Sequence, residues 1–184
     1  MLIIRLLKNT AEMYNSRGQN IDYVKKSVED NLRFEGILKN HIKKKYDIDL
    51  IKSKNPYKHY DFSYNKIIKV EYKGLYYALK DVDKIAVSVK NPDKKIKDVF
   101  ISKSKIAYYK IRQIKNPSLR FYLVYGFYEI DNDEIKQIIY RYLNISDLEN
   151  MILNFKSVVY ENAKHYIIPI KDLVKLPKEN LFNI

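Results

Sequence analysis

"HYDFSYNKIIKVEYKG", residues 59–74, reads as a β-hairpin with an acid near its start and an acid and a base where its second strand ends. Side chains alternate along a strand, so Lys69, Glu71 and Lys73 share one face and Ile68, Val70 and Tyr72 the other. With the turn at Tyr64-Asn65-Lys66, where asparagine tolerates a left-handed backbone, Asp61 pairs with Lys69 and Glu71 becomes its diagonal neighbour. Diagonal Cβ atoms lie about 7 Å apart, which lets two carboxylates converge on one cation. Without a cation the grouping is unfavourable, since like charges about 4 Å apart repel by roughly 4 kcal/mol at an effective dielectric near 20. The competing explanation for so short a pattern is a solvated strand face whose ion pairs contribute little.

Upstream, "NIDYVKKSVEDNLRFEGILKNHIKKKY" begins at Asn20, a suitable N-cap, and sets Val24, Val28, Leu32, Leu38, Ile42 and Tyr46 at three- and four-residue steps. This is the stripe of a long amphipathic helix, and Glu35 falls about 20° from Val24 upon it. A carboxylate aimed into a core is costly unless something compensates it. A shorter helical spacing, Ile4, Leu7, Ala11 and Tyr14, occupies the first sixteen residues. "YDIDLIKSKN", "KHYDFS" and "KIIKVEYKG" read as three successive strands, and residues 75–100 as either a second hairpin or an irregular excursion.

Downstream, "SKSKIAYYKIRQIKN" reads as a helix and "LRFYLVYGFYEI" as a buried strand. In "DNDEIKQIIYRYLN" the positions Ile135, Ile138, Ile139 and Tyr142 fall on one side of a helix. Ser146 and Glu149 then stand at capping-box spacing before another helix, and "HYIIPIKDLVKL" suggests a last strand that Pro169 confines to a sheet edge. The order is that of a mixed α/β domain, expected as one unit over residues 1–184.

The joint setting of Asp61, "VEYKG" and the helix acid in "FEGILKNHI" resembles the PD-(D/E)XK nuclease superfamily, the group of restriction endonucleases, archaeal Holliday junction resolvases and many viral nucleases. Tyr60 stands where the family pattern has proline. The resemblance spans about residues 20–130, leaving a C-terminal helical and strand addition over 131–184. It implies an αβββαβ core, a mixed sheet flanked by helices, and a divalent-metal-dependent DNA endonuclease, structure-selective in the manner of a resolvase and acting as a homodimer. By the same resemblance, Asp61, Glu71 and the main-chain carbonyl of Tyr72 would hold Mg²⁺ or Mn²⁺, with Glu35 acting through water or a second ion. Lys73 would orient the attacking water or stabilise the phosphate in the transition state. The alternative is a basic nucleic-acid-binding protein on the same fold without catalysis.

The bulk chemistry is compatible with both. A formal charge of +13, from 35 Lys and Arg against 22 Asp and Glu, favours a polyanionic partner, although lysine-rich composition is also what an A+T-rich viral or microbial genome writes. On "SKSKIAYYKIRQIK", Lys105, Arg112 and Lys115 fall away from Ile106, Ala107 and Ile114 and could follow a DNA backbone; His59 could contact phosphate. The absence of cysteine excludes disulfides and thiolate metal sites, and His41, His59 and His165 lie at no metal-ligand spacing. "MLIIRLL" is too short to span a membrane, and no apolar run of about 18 residues follows, so the expected compartment is the cytoplasm, the host's if the chain is viral.

Overall fold

The computed structural model describes residues 21–54, 60–80, 85–132, 134–145, 157–160 and 163–182. The chain divides into two compact units, Met1–His41 and Ile42–Ile184. Helix α1 (Ile21–Tyr46) begins in the first and ends in the second. Phe34, Leu38 and Ile42, at four-residue steps, are its buried positions, and Glu35 beside them is half-buried. The side chains of Val24 and Val28, the helix expected over the first sixteen residues, and Ser146 and Glu149 with the helix expected after them all lie outside the described residues.

The second unit then runs through β1 (Ile51–Lys52), β2 (Phe62–Tyr64), β3 (Ile68–Leu75), β4 (Tyr77–Lys80), β5 (Ile85–Ser88), β6 (Lys95–Ile96) and β7 (Asp98–Ser102). Helix α2 (Lys103–Lys115) leads into the long hairpin β8 (Arg120–Asp131) and β9 (Glu134–Asn144), followed by β10 (Ser157–Tyr160), β11 (Ala163–Pro169) and β12 (Val174–Lys175). A six-stranded sheet has the order β1-β2-β3-β8-β9-β12. It is mixed: β3 and β8 run parallel, and the other neighbours are antiparallel. The α/β class and the order hairpin, helix, parallel strand are therefore present. Among the described residues no helix is long and apolar enough to cross a membrane.

Two expectations are corrected and one open alternative is settled. Residues 134–144 form strand β9 rather than a helix, because they pair along their whole length with β8 and Asn132 enters the left-handed region (φ 48°) at the turn. Among the described C-terminal residues, β9 and β12 join the main sheet, and β10 and β11 pair with β7 in another. Strand β11 is the middle of a three-stranded sheet, β10-β11-β7, not an edge; Pro169 is its last residue, where the missing N–H costs least. Strands β4, β5 and β6 pair as a small antiparallel sheet, so the region expected as either a hairpin or an irregular excursion carries paired strands.

Both faces of the central strands are covered. Phe121, Leu123, Tyr125 and Phe127 of β8 join Ile106 and Tyr109 of α2 and Val99 and Ile101 of β7 in one core cluster, with Tyr109 stacked on Phe121 at 4.5 Å. On the other face Tyr72 and Tyr128 meet through their hydroxyls over Gly126. A Cβ there would lie 2.5 Å from the Tyr72 hydroxyl, so glycine is what lets the two rings close.

Candidate active site

Strand β3 lies between β2 and β8, and in the parallel register Lys69, Glu71 and Lys73 stand beside Phe121, Leu123 and Tyr125. On this charged face Glu71 points inward, toward Lys105 of α2, while Lys69 and Lys73 are half-buried. Glu71 is only 6% exposed. A central strand ordinarily fills such positions with apolar side chains, and a carboxylate there departs from every local preference.

The hairpin turn is Asn65-Lys66-Ile67, with Asn65 and Lys66 both left-handed (φ 47° and 58°), one residue later than expected. Ser63 rather than Asp61 consequently pairs with Lys69, and Asp61 stands one residue before β2, close enough for its charge to act on Glu71. The shift is of two residues, so the paired residues of β2 and β3 keep the faces expected of them. Asp61 is fixed by its own backbone, whose N–H donates to Val70 O at 2.9 Å, and by Oδ2, which accepts the Tyr72 N–H at 2.7 Å. Because the N–H and C=O of one strand residue point to the same side, the Tyr72 carbonyl lies on the Asp61 edge of β3.

Two lysines close the group. Lys105, in the first turn of α2, donates to Glu71 Oε1 and forms an ion pair with it. Lys73 Nζ donates to the Phe100 carbonyl at 3.3 Å, an oxygen that also accepts from the Tyr125 hydroxyl at 3.2 Å.

The electrostatics follow from this crowding. Burial, then the charge of Asp61, pushes the Glu71 carboxyl up to about 7 despite Lys105. Burial also raises the Asp61 carboxyl, against the Tyr72 N–H and the charges of Lys105, Lys52 and Lys73. Lys73 is lowered by burial and by the like charge of Lys105, with Glu71 and Asp61 opposing. Tyr109 and Tyr125 are raised, chiefly by burial and then by Glu71.

The structure thus brings together Asp61, Glu71, Lys73 and the Tyr72 main chain. Glu35 belongs to the other compact unit. Among the described residues no three acidic or histidine side chains group as a metal cage made by side chains alone. The donor set is two carboxylates and a carbonyl, all hard oxygens. That fits Mg²⁺ or Mn²⁺, which are commonly held by one or two carboxylates and complete their shell with water and phosphate oxygens.

Lys105 corrects the expected DNA-facing surface. The buried residues of α2 are Ile106 and Tyr109, while Ile111 and Ile114 are 54% and 80% exposed, so the helix is turned relative to the expected apolar face. The turn carries Lys105 to the rim of the buried side and onto Glu71. Exposed apolar isoleucines masked the signal, which was a lysine one residue before the first buried position. Arg112 and Lys115 are exposed near the C-terminus of α2, where positive charge also favours the helix dipole. His59 lies outside the described residues.

No family model matches the chain, and no curated protein matches it. Among solved structures, D212, a nuclease from a fusselovirus, is similar over 87% of this chain and 90% of its own, at 14% identity and a TM-score of 0.41.

Proposed function

We propose that the second unit is a divalent-metal-dependent nuclease that hydrolyses phosphodiester bonds in DNA. The observation that carries the proposal is the buried Glu71 on a central strand, within the fields of Asp61, Lys73 and Lys105. Asp61, Glu71 and the Tyr72 carbonyl would hold Mg²⁺ or Mn²⁺. When bound, such an ion supplies a Lewis acid that polarises the phosphodiester and acidifies a coordinated water. Glu71 presents its oxygens from β3 and Asp61 from the residue just before β2, and the Tyr72 N–H fixes the orientation of Asp61. Lys73 places positive charge where a phosphate oxygen becomes more negative, and its partial burial strengthens that interaction over the same pair in water. Lys105 neutralises Glu71 internally and would leave it when a cation takes its place. Glu35, in the other unit, is no part of this proposal.

The Lys105–Glu71 pair also favours a second reading, since it partners the buried acid without any metal: a basic nucleic-acid-binding protein that does not cut. Incubation with supercoiled plasmid and branched DNA in Mg²⁺, Mn²⁺ or EDTA separates the two. Metal-dependent cutting should fall at least about 100-fold in both Glu71→Gln and Lys73→Ala. Binding without cutting by the wild-type chain in either metal would refute hydrolysis and leave the binding protein.

A further inference from the structure

Lys73 borders two places. Beside the carboxylates it completes the cluster, and away from them it lines a cavity of about 520 Å³ between β3, the β4-β5-β6 meander, β7 and β11. That volume falls within the roughly 300–1,000 Å³ of sites that enclose small molecules. The walls are mainly apolar and include Tyr77, Phe100 and Tyr125. Lys94 and His165 add basic groups to Lys73, against a single acid, Asp98. Phe100 is 40% exposed although its strand neighbours Val99 and Ile101 are buried, and the carbonyl of the same residue is held by Lys73 and Tyr125. Aromatic and basic residues gathered round one cavity match a ligand with a flat π-face at one end and an anion at the other.

We propose that this cavity takes one unpaired nucleotide of a DNA strand, with its base against the Phe100 and Tyr77 rings and its phosphate at Lys73. The assignment of that phosphate to the strand being cut rests on the nuclease function proposed above. A base inside a duplex has both faces covered by its neighbours, so only a nucleotide out of the stack can present one to the ring. The cavity would therefore direct cutting to bulges, gaps, flaps or strand ends.

The test is made in EDTA, where binding is separated from cutting. Thymidine 5′-monophosphate, thymidine and inorganic phosphate are titrated calorimetrically against the full chain, and duplexes with and without one bulged nucleotide are compared by fluorescence anisotropy. The nucleotide should bind at least about tenfold more tightly than thymidine or phosphate, and the bulged duplex at least about tenfold more tightly than the paired one. Phe100→Ala should weaken both preferred complexes about tenfold, and Phe100→Trp should retain them. Should Phe100→Ala fail to fold, Lys94→Ala is expected to weaken the nucleotide more than thymidine. Equal binding of nucleotide and phosphate, or a folded Phe100→Ala with unchanged affinity, overturns the cavity assignment; nucleotide binding without preference for the bulge overturns its extension to a DNA strand. Cutting in Mg²⁺ without nucleotide binding counts against the cavity alone, and nucleotide binding without cutting counts against hydrolysis alone.

Discussion

Glu71 holds its proton more firmly than an exposed glutamate, with a carboxyl at about 7 against an ordinary 4.5 in the unfolded chain. Between those values the folded chain binds more protons than the unfolded one. This contribution to stability is therefore fully present below about 4.5 and lost as pH rises to about 7, with a ceiling on the order of 3 kcal/mol. Urea titrations in EDTA from about pH 4 to about pH 8 should show that decline, and Glu71→Gln should flatten it. The same proton competes with a cation for the carboxylate, so calorimetric Mg²⁺ or Mn²⁺ affinity should rise through the same window. Lys105→Met removes the ammonium from Glu71 and should cost roughly 1–3 kcal/mol at alkaline pH, less than for a fully buried pair because Lys105 is partly exposed. The double variant Lys105→Met/Glu71→Gln should recover most of that loss; if the single variant costs nothing, the pair does not compensate the acid. At this scale the acids and Lys73 were legible, because a charge on an otherwise apolar strand stands out against its neighbours. Lys105 was not, since the lysine-rich surface around it hides which ammonium turns inward.

At the scale of elements, Gly126→Ala is the sharpest probe of the sheet. Its Cβ would meet the Tyr72 hydroxyl at 2.5 Å and Tyr128 Cε2 at 2.8 Å, and should cost about 1–3 kcal/mol in urea unfolding. Because Tyr72 follows Glu71 and its carbonyl is a candidate ligand, displacing its ring should also reduce metal affinity although the substitution meets only the hydroxyl end of Tyr72. The hairpin, α2 and β8 could be read from the chain, since alternation, a Ser start and an unbroken apolar run each point to one structure. Strand β9 could not. Ile135, Ile138, Ile139 and Tyr142 fit a helical stripe, and only pairing with β8 converts the same residues into alternate faces of a strand. The turn at Asp131-Asn132 was the local clue, and it outweighs the spacing. For β11, Pro169 suggested an edge because a proline's place within a strand matters more than its presence.

For the whole molecule, the charge of +13 predicts DNA affinity that falls steeply with salt. Neutralising about five phosphates would give a log–log slope near −4 to −5, so binding in EDTA should weaken by more than about 100-fold between roughly 50 and 200 mM salt. A slope near zero, measured by anisotropy, would remove electrostatics from the account. The class of fold was legible because the order of elements survives errors in individual ones. The arrangement of the two three-stranded sheets was not, for it depends on pairings between residues as distant as β7 and β11.

The parallel pairing of β3 with β8 joins residues 68–75 to residues 120–127, with the meander, β7 and α2 made in between. A neighbour that runs the same way can dock only after the whole crossover has been synthesised. While the chain is still leaving the ribosome, Glu71 has no β8 beside it and Lys105 no floor on which to settle. Assembly of the cluster would thus be withheld during translation by the order of synthesis itself, and would follow only once residues 120–127 have been made.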